Sequence, residues 1–297
     1  MKNNYLKAIP AVVAFALMGI SSQVSAAAFV QCPGDSNKDS DAVVKDIPKN
    51  ENLKGIHLSS GDGFVKMADG RVQYMFGFCN LTGIPEADAI DAGILAASYP
   101  APAIELNEGD EFYLTLTNVG MIMRPDLADP HTVHFHGFPN ASSIMDGVPD
   151  VSVSVNMGSS LSYYYKIARP GTFMYHCHVE ASEHMQMGML GNLYVNAAQN
   201  KLTNGTDLTG FTHQTGNEYA YNDGDGSTFY DVDYAIQMGS FDPEFHDASQ
   251  NTQPLPFANM NDTYTMLNGR GYPDTVLADN AITPPAENGG KPSQNNT

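Results

Sequence analysis

The sequence predicts an all-β fold of the Greek-key β-sandwich type, on three observations. Short runs that alternate apolar and polar residues, as strands with one buried face do, recur at regular spacing. Few segments have the periodicity of a helix. Glycine and proline, which number 27 and 18 among 297 residues, separate the runs as turn residues do. Together these features are typical of two packed antiparallel sheets.

The first element of the chain has the pattern of a secretory signal. Residues 1–26 combine a charged start at Lys2 and Lys7, an apolar run from Ala8 to Ile20, and small residues up to Ala26. The apolar run is too short to span a bilayer, and no other segment resembles a transmembrane helix. We therefore predict a signal peptide over residues 1–26 and a periplasmic or secreted protein.

Residues 27–198 are predicted to form one sandwich domain. After a polar arm, the residues around Ala68-Asp69-Gly70 indicate a hairpin, and the Ala- and Asp-rich residues 81–99 indicate a short helix or an insertion. Alternation then predicts four strands, at Ile104–Leu106, Glu111–Asn118, Val151–Val155 and Leu161–Ile167. Gly171 opens a further strand, which carries most of the candidate metal ligands.

The C-terminal part is predicted to contain a linker and an incomplete unit. Residues 199–226 are rich in Asn, Gly, Thr and Asp, as linkers are. Residues 227–297 include a strand predicted at Phe229–Phe241, but their roughly seventy residues fall short of the ~100 of a complete sandwich. We interpret them as the start of a second domain in a truncated or short chain. The alternative is a tail that wraps the first domain.

Charge and cysteine content limit the classes of partner and the compartment. The formal charge of −19 argues against nucleic acid and against an anionic membrane as partners, because both present negative charge. The three cysteines fit an oxidising compartment. Cys32 and Cys79 are candidates for a disulfide, whereas Cys177 belongs to the metal-ligand group.

Candidate metal ligands are concentrated between Gly171 and Val195, in a chain with only nine His and three Cys. A type 1 copper centre takes one thiolate, two imidazoles and a weak axial thioether. Three residues of this stretch and one upstream residue make up that set: Cys177, His184, Met189 and His131.

Side-chain alternation separates the type 1 set from a second group. Residues two apart in a strand share a face, and adjacent residues oppose each other. Cys177 and His131 therefore point into the domain. Four histidines have the opposite parity and are predicted to form an outward, open patch that is half of another metal site: His134, His136, His176 and His178.

The two motifs that hold these residues resemble those of the multicopper oxidases (laccases, metal oxidases and relatives), and more distantly those of the copper nitrite reductases. They are Thr-Val-His-Phe-His-Gly at 132–137 and Gly-Thr-Phe-Met-Tyr-His-Cys-His at 171–178. The resemblance implies a cupredoxin domain whose type 1 copper is bound by His131, Cys177, His184 and axial Met189. It also implies that His134 binds a type 2 copper, and that the type 3 pair is bound by His136, His176 and His178.

Further parts of the chain have counterparts in the same family. Asp146 and Glu180 resemble carboxylates outside the ligand sphere that assist proton delivery to oxygen. Residues 264–274 are similar to the start of a second cupredoxin domain. In the family, eight histidines at a domain interface hold a three-copper cluster, and this chain offers four. Missing cupredoxin domains, or a second copy of the chain, would supply the rest.

The function implied by the resemblance is that of a copper-dependent oxidoreductase with dioxygen as acceptor. Single electrons from a small reducing substrate, phenolic or a metal ion, would enter at type 1 copper and pass to the trinuclear site, where dioxygen becomes water. Two alternatives stay open. One is a two-copper enzyme like nitrite reductase, formed by self-association, and the other is a non-enzymatic blue-copper electron carrier or copper-binding module.

Spacing and ligand identity distinguish these readings. His184 follows Cys177 by seven residues, whereas laccases space this pair more tightly and nitrite reductases more widely. Nitrite reductases place Asp at the position of His134 and a residue other than His at that of His178. These two histidines favour the oxygen-reducing family.

Overall fold

The computed structural model of the protein describes residues 52–139, 142–278 and 281–294. The predicted signal peptide at residues 1–26 and the predicted disulfide partner Cys32 lie outside the described residues, so both stay predictions. No helix in these described ranges has the length and apolar character that crossing a bilayer requires.

Eight strands form two four-stranded sheets that enclose one hydrophobic core. The first sheet has the order β2-β1-β4-β6 and the second the order β3-β8-β7-β5. These strands are β1 (Leu53–Lys66), β2 (Val72–Asn80), β3 (Ile104–Asn107), β4 (Glu111–Gly120), β5 (His134–His136), β6 (Ser160–Lys166), β7 (Gly171–His176) and β8 (Leu190–Asn196). The all-β sandwich predicted from the sequence is confirmed.

Alternating apolar residues place the inner face of each sheet in the core. On β4, Phe112, Leu114 and Leu116 are all buried, as their period of two predicts. Large aromatic rings fill the space between the sheets, and Phe135 of β5 stacks on Tyr165 of β6 at 4.2 Å between ring centroids. Rings of this size bury much apolar area, so they stabilise the sheet on which the site is built.

Short elements complete the fold. The helices are α1 (Ala89–Gly93), α2 (Ala181–Gln186) and α3 (Pro243–Gln250). Three two-stranded ribbons pair β9 (Asp207–Leu208) with β10 (Phe211–Thr212), β11 (Glu218–Tyr219) with β12 (Phe229–Tyr230), and β13 (Met238–Phe241) with β14 (Tyr264–Leu267).

Three sequence-based expectations differ from the structure. Val151–Val155 is not a strand, because only Val155 pairs, in an isolated bridge with His131. The strand predicted at Phe229–Phe241 is interrupted, and only its two ends pair, as β12 and β13. Residues 199–226, predicted as a linker, hold β9, β10 and β11. Whether they separate two domains stays a prediction.

The segment after residue 227 packs against the sandwich. Phe245 of α3 is fully buried in the same core as the two sheets. The Nδ1 and Nε2 atoms of His246 lie 2.6 and 3.0 Å from the carbonyl oxygens of Tyr74 and Gln186. The side-chain amide of Asn288 accepts a hydrogen bond from the N–H of Phe64 and donates one to the carbonyl of Phe64, at 2.8 Å each. These contacts tie the segment to β1, β2 and α2.

The core position of Phe245 yields a stability test. Phe245→Ala removes a fully buried ring and is expected to lower the free energy of unfolding of the sandwich by about 3–5 kcal/mol. Phe257→Ala, at a ring that touches Phe245 but is 51% exposed, is the matched control and should cost less than about 1.5 kcal/mol. Urea denaturation followed by circular dichroism measures both. If residues 227–297 formed an independent unit, Phe245→Ala would leave the unfolding of the sandwich unchanged.

Candidate metal centre

A thiol and two imidazoles converge in the buried interior, just after the end of β7. The Nδ1 atoms of His131 and His184 lie 3.6 and 3.3 Å from the Sγ of Cys177. All three side chains are fully buried. One candidate ligand atom from each lies within 4.8 Å of the others. The structure therefore brings together three of the four residues predicted for the type 1 site.

The surroundings of Cys177 favour its thiolate. Burial by itself would raise the pKa of this thiol, but hydrogen bonds with His131 and His184 outweigh burial and lower the pKa to about 5. Burial also opposes the charged form of His184, yet the interactions with the Asp129 carboxylate and the Cys177 sulfur raise its pKa to about 10. The thiolate is the form of cysteine that binds metals, and a metal ion bound here would displace the proton from His184.

Main-chain hydrogen bonds hold this group together. The N–H of Cys177 donates to the carbonyl of Met189 at 3.1 Å, and the N–H of Met189 donates to the carbonyl of His184 at 2.8 Å. The N–H of Thr132, next to His131, donates to Cys177 Sγ at 3.5 Å. The side chain of Met189 is fully buried. Its role as the axial ligand stays a prediction.

A helical turn spans the interval of seven positions from Cys177 to His184. β7 ends at His176, Glu180 adopts a left-handed φ of 46°, and α2 starts at Ala181. His184 lies in the last turn of α2, which directs its imidazole to the sulfur. The sequence analysis did not predict this helix, because six residues are too few for a helical periodicity to emerge.

A carboxylate that the sequence analysis missed lies on the other side of His184. The Oδ2 of Asp129 is 3.7 Å from the Nε2 of His184, whose Nδ1 faces the sulfur. The side-chain amide of Asn118 donates to the carbonyl of Asp129 at 2.8 Å and holds the segment in place. No motif marks Asp129 in the sequence, since it lies in irregular chain before His131.

The four histidines of opposite parity form a second group. Their ring centroids lie 5.1–5.9 Å apart in five pairs. The Nδ1 of His136 lies 3.2 Å from the Nε2 of His176, so these two nitrogens face each other. We call this group, which consists of His134, His136, His176 and His178, the four-histidine face.

The four-histidine face is less open than the alternation rule predicted. His136 is exposed and both His134 and His178 are partly buried, but His176 is only 2% exposed. The reason is its position in the sheet, where His176 pairs with His134 on one side and with Leu190 on the other. Burial lowers the pKa of His176 to about 4, so its imidazole is neutral and able to bind a metal at neutral pH.

Asp146 contacts the four-histidine face through its main chain. The Nδ1–H of His134 donates to the carbonyl of Asp146 at 2.7 Å, and the Asp146 carboxylate lies 3.6 Å from the same nitrogen. Gly147 makes this approach feasible, because a Cβ at its φ of 82° would lie 2.3 Å from the carbonyl oxygen of Val133. The contact directs the Nε2 of His134 away from Asp146, as outer-shell partners of metal ligands do.

Glu180 lies near His184, which belongs to the buried group of Cys177, His131 and His184. One of its carboxylate oxygens lies within 4.8 Å of ligand atoms of Asp129 and His184. The predicted proton-delivery role called for a position near the four-histidine face, together with Asp146. The observed neighbours of Glu180 are instead Asp129 and His184, on the side of the buried Cys177 site.

The donor set around Cys177 fits copper. A thiolate with two imidazole nitrogens, and a thioether residue adjacent in the hydrogen-bonded main chain, matches the ligands of blue copper sites. Structural zinc sites instead take four strong Cys or His ligands. The Nε2 of His131 is buried without a hydrogen-bond partner, and that of His184 has Asp129 as an ion-pair neighbour at 3.7 Å. Both rings face the sulfur through Nδ1.

Comparison with known proteins agrees with this chemistry. The family model described as multicopper oxidase matches residues 89–200. Laccase-1 of Cryptococcus neoformans var. grubii is 27% identical over 138 residues, which are 46% of this chain and 21% of that laccase. The iron transport multicopper oxidase fetC of Epichloe festucae is 39% identical over 83 residues, 27% of this chain and 12% of that protein.

The solved structures include a blue copper oxidase from Nitrosomonas europaea. It has a TM-score of 0.50 and 22% identity, and the match covers 74% of this chain and 54% of the other. This likeness supports the fold. The chain spans less than a quarter of the length of the two sequence relatives above.

The lowered pKa of Cys177 predicts a thiolate in the folded, copper-free protein. A depressed pKa means that the charged form is retained as pH falls from the ordinary value near 9 to about 5, so stability from this group decreases over that window on acidification. The ultraviolet thiolate absorption at neutral pH is expected to disappear in Cys177→Ser and in urea. Cys79→Ser is the control, since burial raises the pKa of Cys79. An unchanged absorption in Cys177→Ser would contradict the prediction.

Proposed function

We propose that the chain is part of a copper-dependent oxidase that takes electrons from a reducing substrate and delivers them to dioxygen, because residues 89–200 match the multicopper oxidase family model. The observation that carries the proposal is the adjacency of two metal-ligand groups. Cys177 holds the buried group, and its sequence neighbours His176 and His178 belong to the four-histidine face. A simple electron carrier has no use for the second group.

Short covalent and hydrogen-bonded connections join the buried Cys177 group to the four-histidine face. The Nδ1–H of His176 donates to the carbonyl of Cys177 at 2.8 Å, and the N–H of His178 donates to the Oγ1 of Thr132 at 3.1 Å. Thr132 in turn donates through its N–H to Cys177 Sγ. Short covalent and hydrogen-bonded connections of this kind keep the geometry of both groups fixed relative to each other.

Copper, which His131, Cys177, His184 and Met189 would hold at the first site and the four histidines at the second, would supply a one-electron acceptor and an oxygen-reducing centre. The protein residues supply geometry and protons. His184 presents Nδ1 to the sulfur and Nε2 to Asp129. Asp146 orients His134 and provides a carboxylate within 3.6 Å of that ring. We propose proton delivery for both carboxylates, Asp146 beside His134 and Glu180 on the side of His184.

The four-histidine face needs a second set of imidazoles to hold three metals. The other three histidines of the sequence lie elsewhere, buried and bonded to Thr117, Tyr219 and the carbonyls of Tyr74 and Gln186. We propose that another cupredoxin domain or a second copy of this chain covers the exposed His136 edge. The reducing substrate is proposed to be a phenol or a metal ion, and the compartment periplasmic or extracellular.

Substitutions at each group separate an oxidase from a carrier. The double variant His134→Ala/His178→Ala is expected to keep the blue absorption band but to lose at least about 100-fold in dioxygen consumption, because only the second site is changed. Cys177→Ser should lose the band and the activity together. The measurements are visible absorption, copper per chain on size-separated protein, and oxygen uptake.

His213→Gln is the matched control, since His213 is buried outside both groups with Nδ1 at 2.9 Å from the hydroxyl of Tyr219. The His213→Gln variant should keep the blue absorption band and the wild-type rate of oxygen uptake. Wild-type uptake in His134→Ala/His178→Ala would overturn the oxidase proposal. Reduction of an added electron acceptor at an unchanged rate would then identify a carrier.

A further inference from the structure

We propose that a tyrosine-lined cavity on the outer face of the second sheet binds a small organic ammonium cation. The cavity has a volume of about 280 Å³. We call it the tyrosine cavity, after the four tyrosines that line it together with two acids: Tyr194, Tyr221, Tyr230, Tyr234, Glu105 and Asp233. The proposal does not depend on the oxidase function.

The floor of the tyrosine cavity is a row of residues across three strands. Tyr194 of β8 pairs with Glu105 of β3 on one side and with Thr172 of β7 on the other. The residues on either side of Tyr194 along β8, Leu193 and Val195, are buried in the core. Alternation therefore places Tyr194 and its two partners on the outer face of the sheet.

The walls come from the chain that follows the sandwich. Tyr230 of β12 pairs with Glu218 of β11 and is half-buried. Tyr221 and Tyr234, in irregular chain nearby, are 55% and 69% exposed. Aromatic rings that remain exposed at a cavity wall are available to a ligand, and the face of such a ring attracts a cation.

Negative charge is concentrated at the same place. Burial and the neighbouring carboxylate of Glu218 raise the pKa of the Tyr230 hydroxyl to about 12. The charges of Asp233 and Glu105 act in the same direction, so three carboxylates influence one hydroxyl of the cavity wall. Of the described residues that line the cavity, none is Lys, Arg or His. The complement of this surface is a positive charge.

A buried acceptor without a partner lies in an adjoining cavity. This smaller space, of about 50 Å³, shares Tyr194 and Ala235 with the tyrosine cavity and is also lined by Gln237. Gln237 is only 6% exposed, and its Oε1 has no hydrogen-bond partner, whereas its Nε2 donates to the carbonyl of Leu190 at 3.4 Å. A buried acceptor of this kind calls for a donor from a ligand or a water. A hydroxyl or ammonium N–H of the ligand would supply it.

The combination of rings and carboxylates distinguishes between classes of ligand. An anion would be repelled by the three carboxylates. The acids of the tyrosine cavity are not among the groups of described residues whose ligand atoms lie close enough together to hold a metal ion. An alkylammonium ion needs no such convergence, because its charge is spread over its methyl and methylene groups and these pack on aromatic faces.

The tyrosine cavity is separate from the candidate metal centre. Its residue Thr172 lies near the start of β7, and His176 ends that strand. Four steps at the ~3.3 Å rise of a strand place these two positions about 13 Å apart. Binding at the cavity is therefore expected to be measurable whether or not copper is bound.

The test compares a cation with its neutral isostere. The full-length chain is titrated calorimetrically with choline in about 0.15 M salt, which screens the charge of −19 on the whole chain. The same titration uses 3,3-dimethylbutanol, which has the shape of choline without its charge. We expect about one choline per chain, bound at least about tenfold more tightly than the alcohol.

Charge variants locate the binding. Glu105→Gln/Asp233→Asn should bind choline at least about tenfold more weakly than wild type. Asp88→Asn/Asp91→Asn removes the same charge from exposed acids at α1, which contacts β1 and β4 of the first sheet. This matched control should bind choline as wild type does.

Ring variants separate the aromatic contribution from the hydroxyl groups. Tyr221→Leu/Tyr234→Leu should weaken choline binding at least about tenfold, whereas Tyr221→Phe/Tyr234→Phe, which keeps both rings, should stay within about threefold of wild type. Both positions are more than half exposed, so the fold is expected to tolerate these changes, and thermal unfolding checks this.

Several results would overturn the proposal. They are equal binding of choline and the neutral alcohol, wild-type binding in Glu105→Gln/Asp233→Asn, and no saturable choline binding up to about 10 mM. Binding of myo-inositol in place of choline would identify a polyol site and overturn it as well. Cys177→Ser should bind choline as wild type does, which keeps this test independent of the oxidase proposal.

Discussion

The structure depends on placing the sulfur of Cys177, as a thiolate, in the interior of a sandwich. Burying a charge is costly unless it is compensated. The compensation comes from His131, His184 and the N–H of Thr132, which reach the sulfur from different parts of the chain. The irregular chain before β5, the end of β7 and the short helix α2 must therefore meet at one point. The aromatic core beneath them supplies the rigid base on which this is feasible.

His184 has a central place in this arrangement because its two ring nitrogens face different groups. Nδ1 lies against the thiolate, and Nε2 is directed at Asp129. The imidazole thus joins the buried metal-ligand group to an acidic surface. On the other side of Cys177, the adjacent residues His176 and His178 lead to the four-histidine face. A mononuclear site and an oxygen site would then follow one another along a short path.

The described C-terminal residues pack against the same core as the two sheets. Phe245 fills the core between the sheets, and His246 bridges the carbonyls of Tyr74 and Gln186. Gln186 ends α2, the helix that carries His184. The side chain of Arg124, on the segment that carries Asp129, donates to the carbonyl of Ser249 in α3. The support of the group around Cys177 and His184 therefore extends beyond residues 89–200, which match the family model.

The sequence by itself determined the fold class and most members of the two candidate ligand groups, because alternation at strand spacing and rare His and Cys residues are local signals. From them the inward Cys177 and the His134-x-His136 pair were read correctly as members of two separate groups. Only the tertiary structure decided the burial of His176, which follows from the strands on either side of it. It also decided the neighbours of Glu180 and the presence of Asp129 beside His184. Those contacts join residues about 50 positions apart through irregular chain, where no periodicity relates sequence to space.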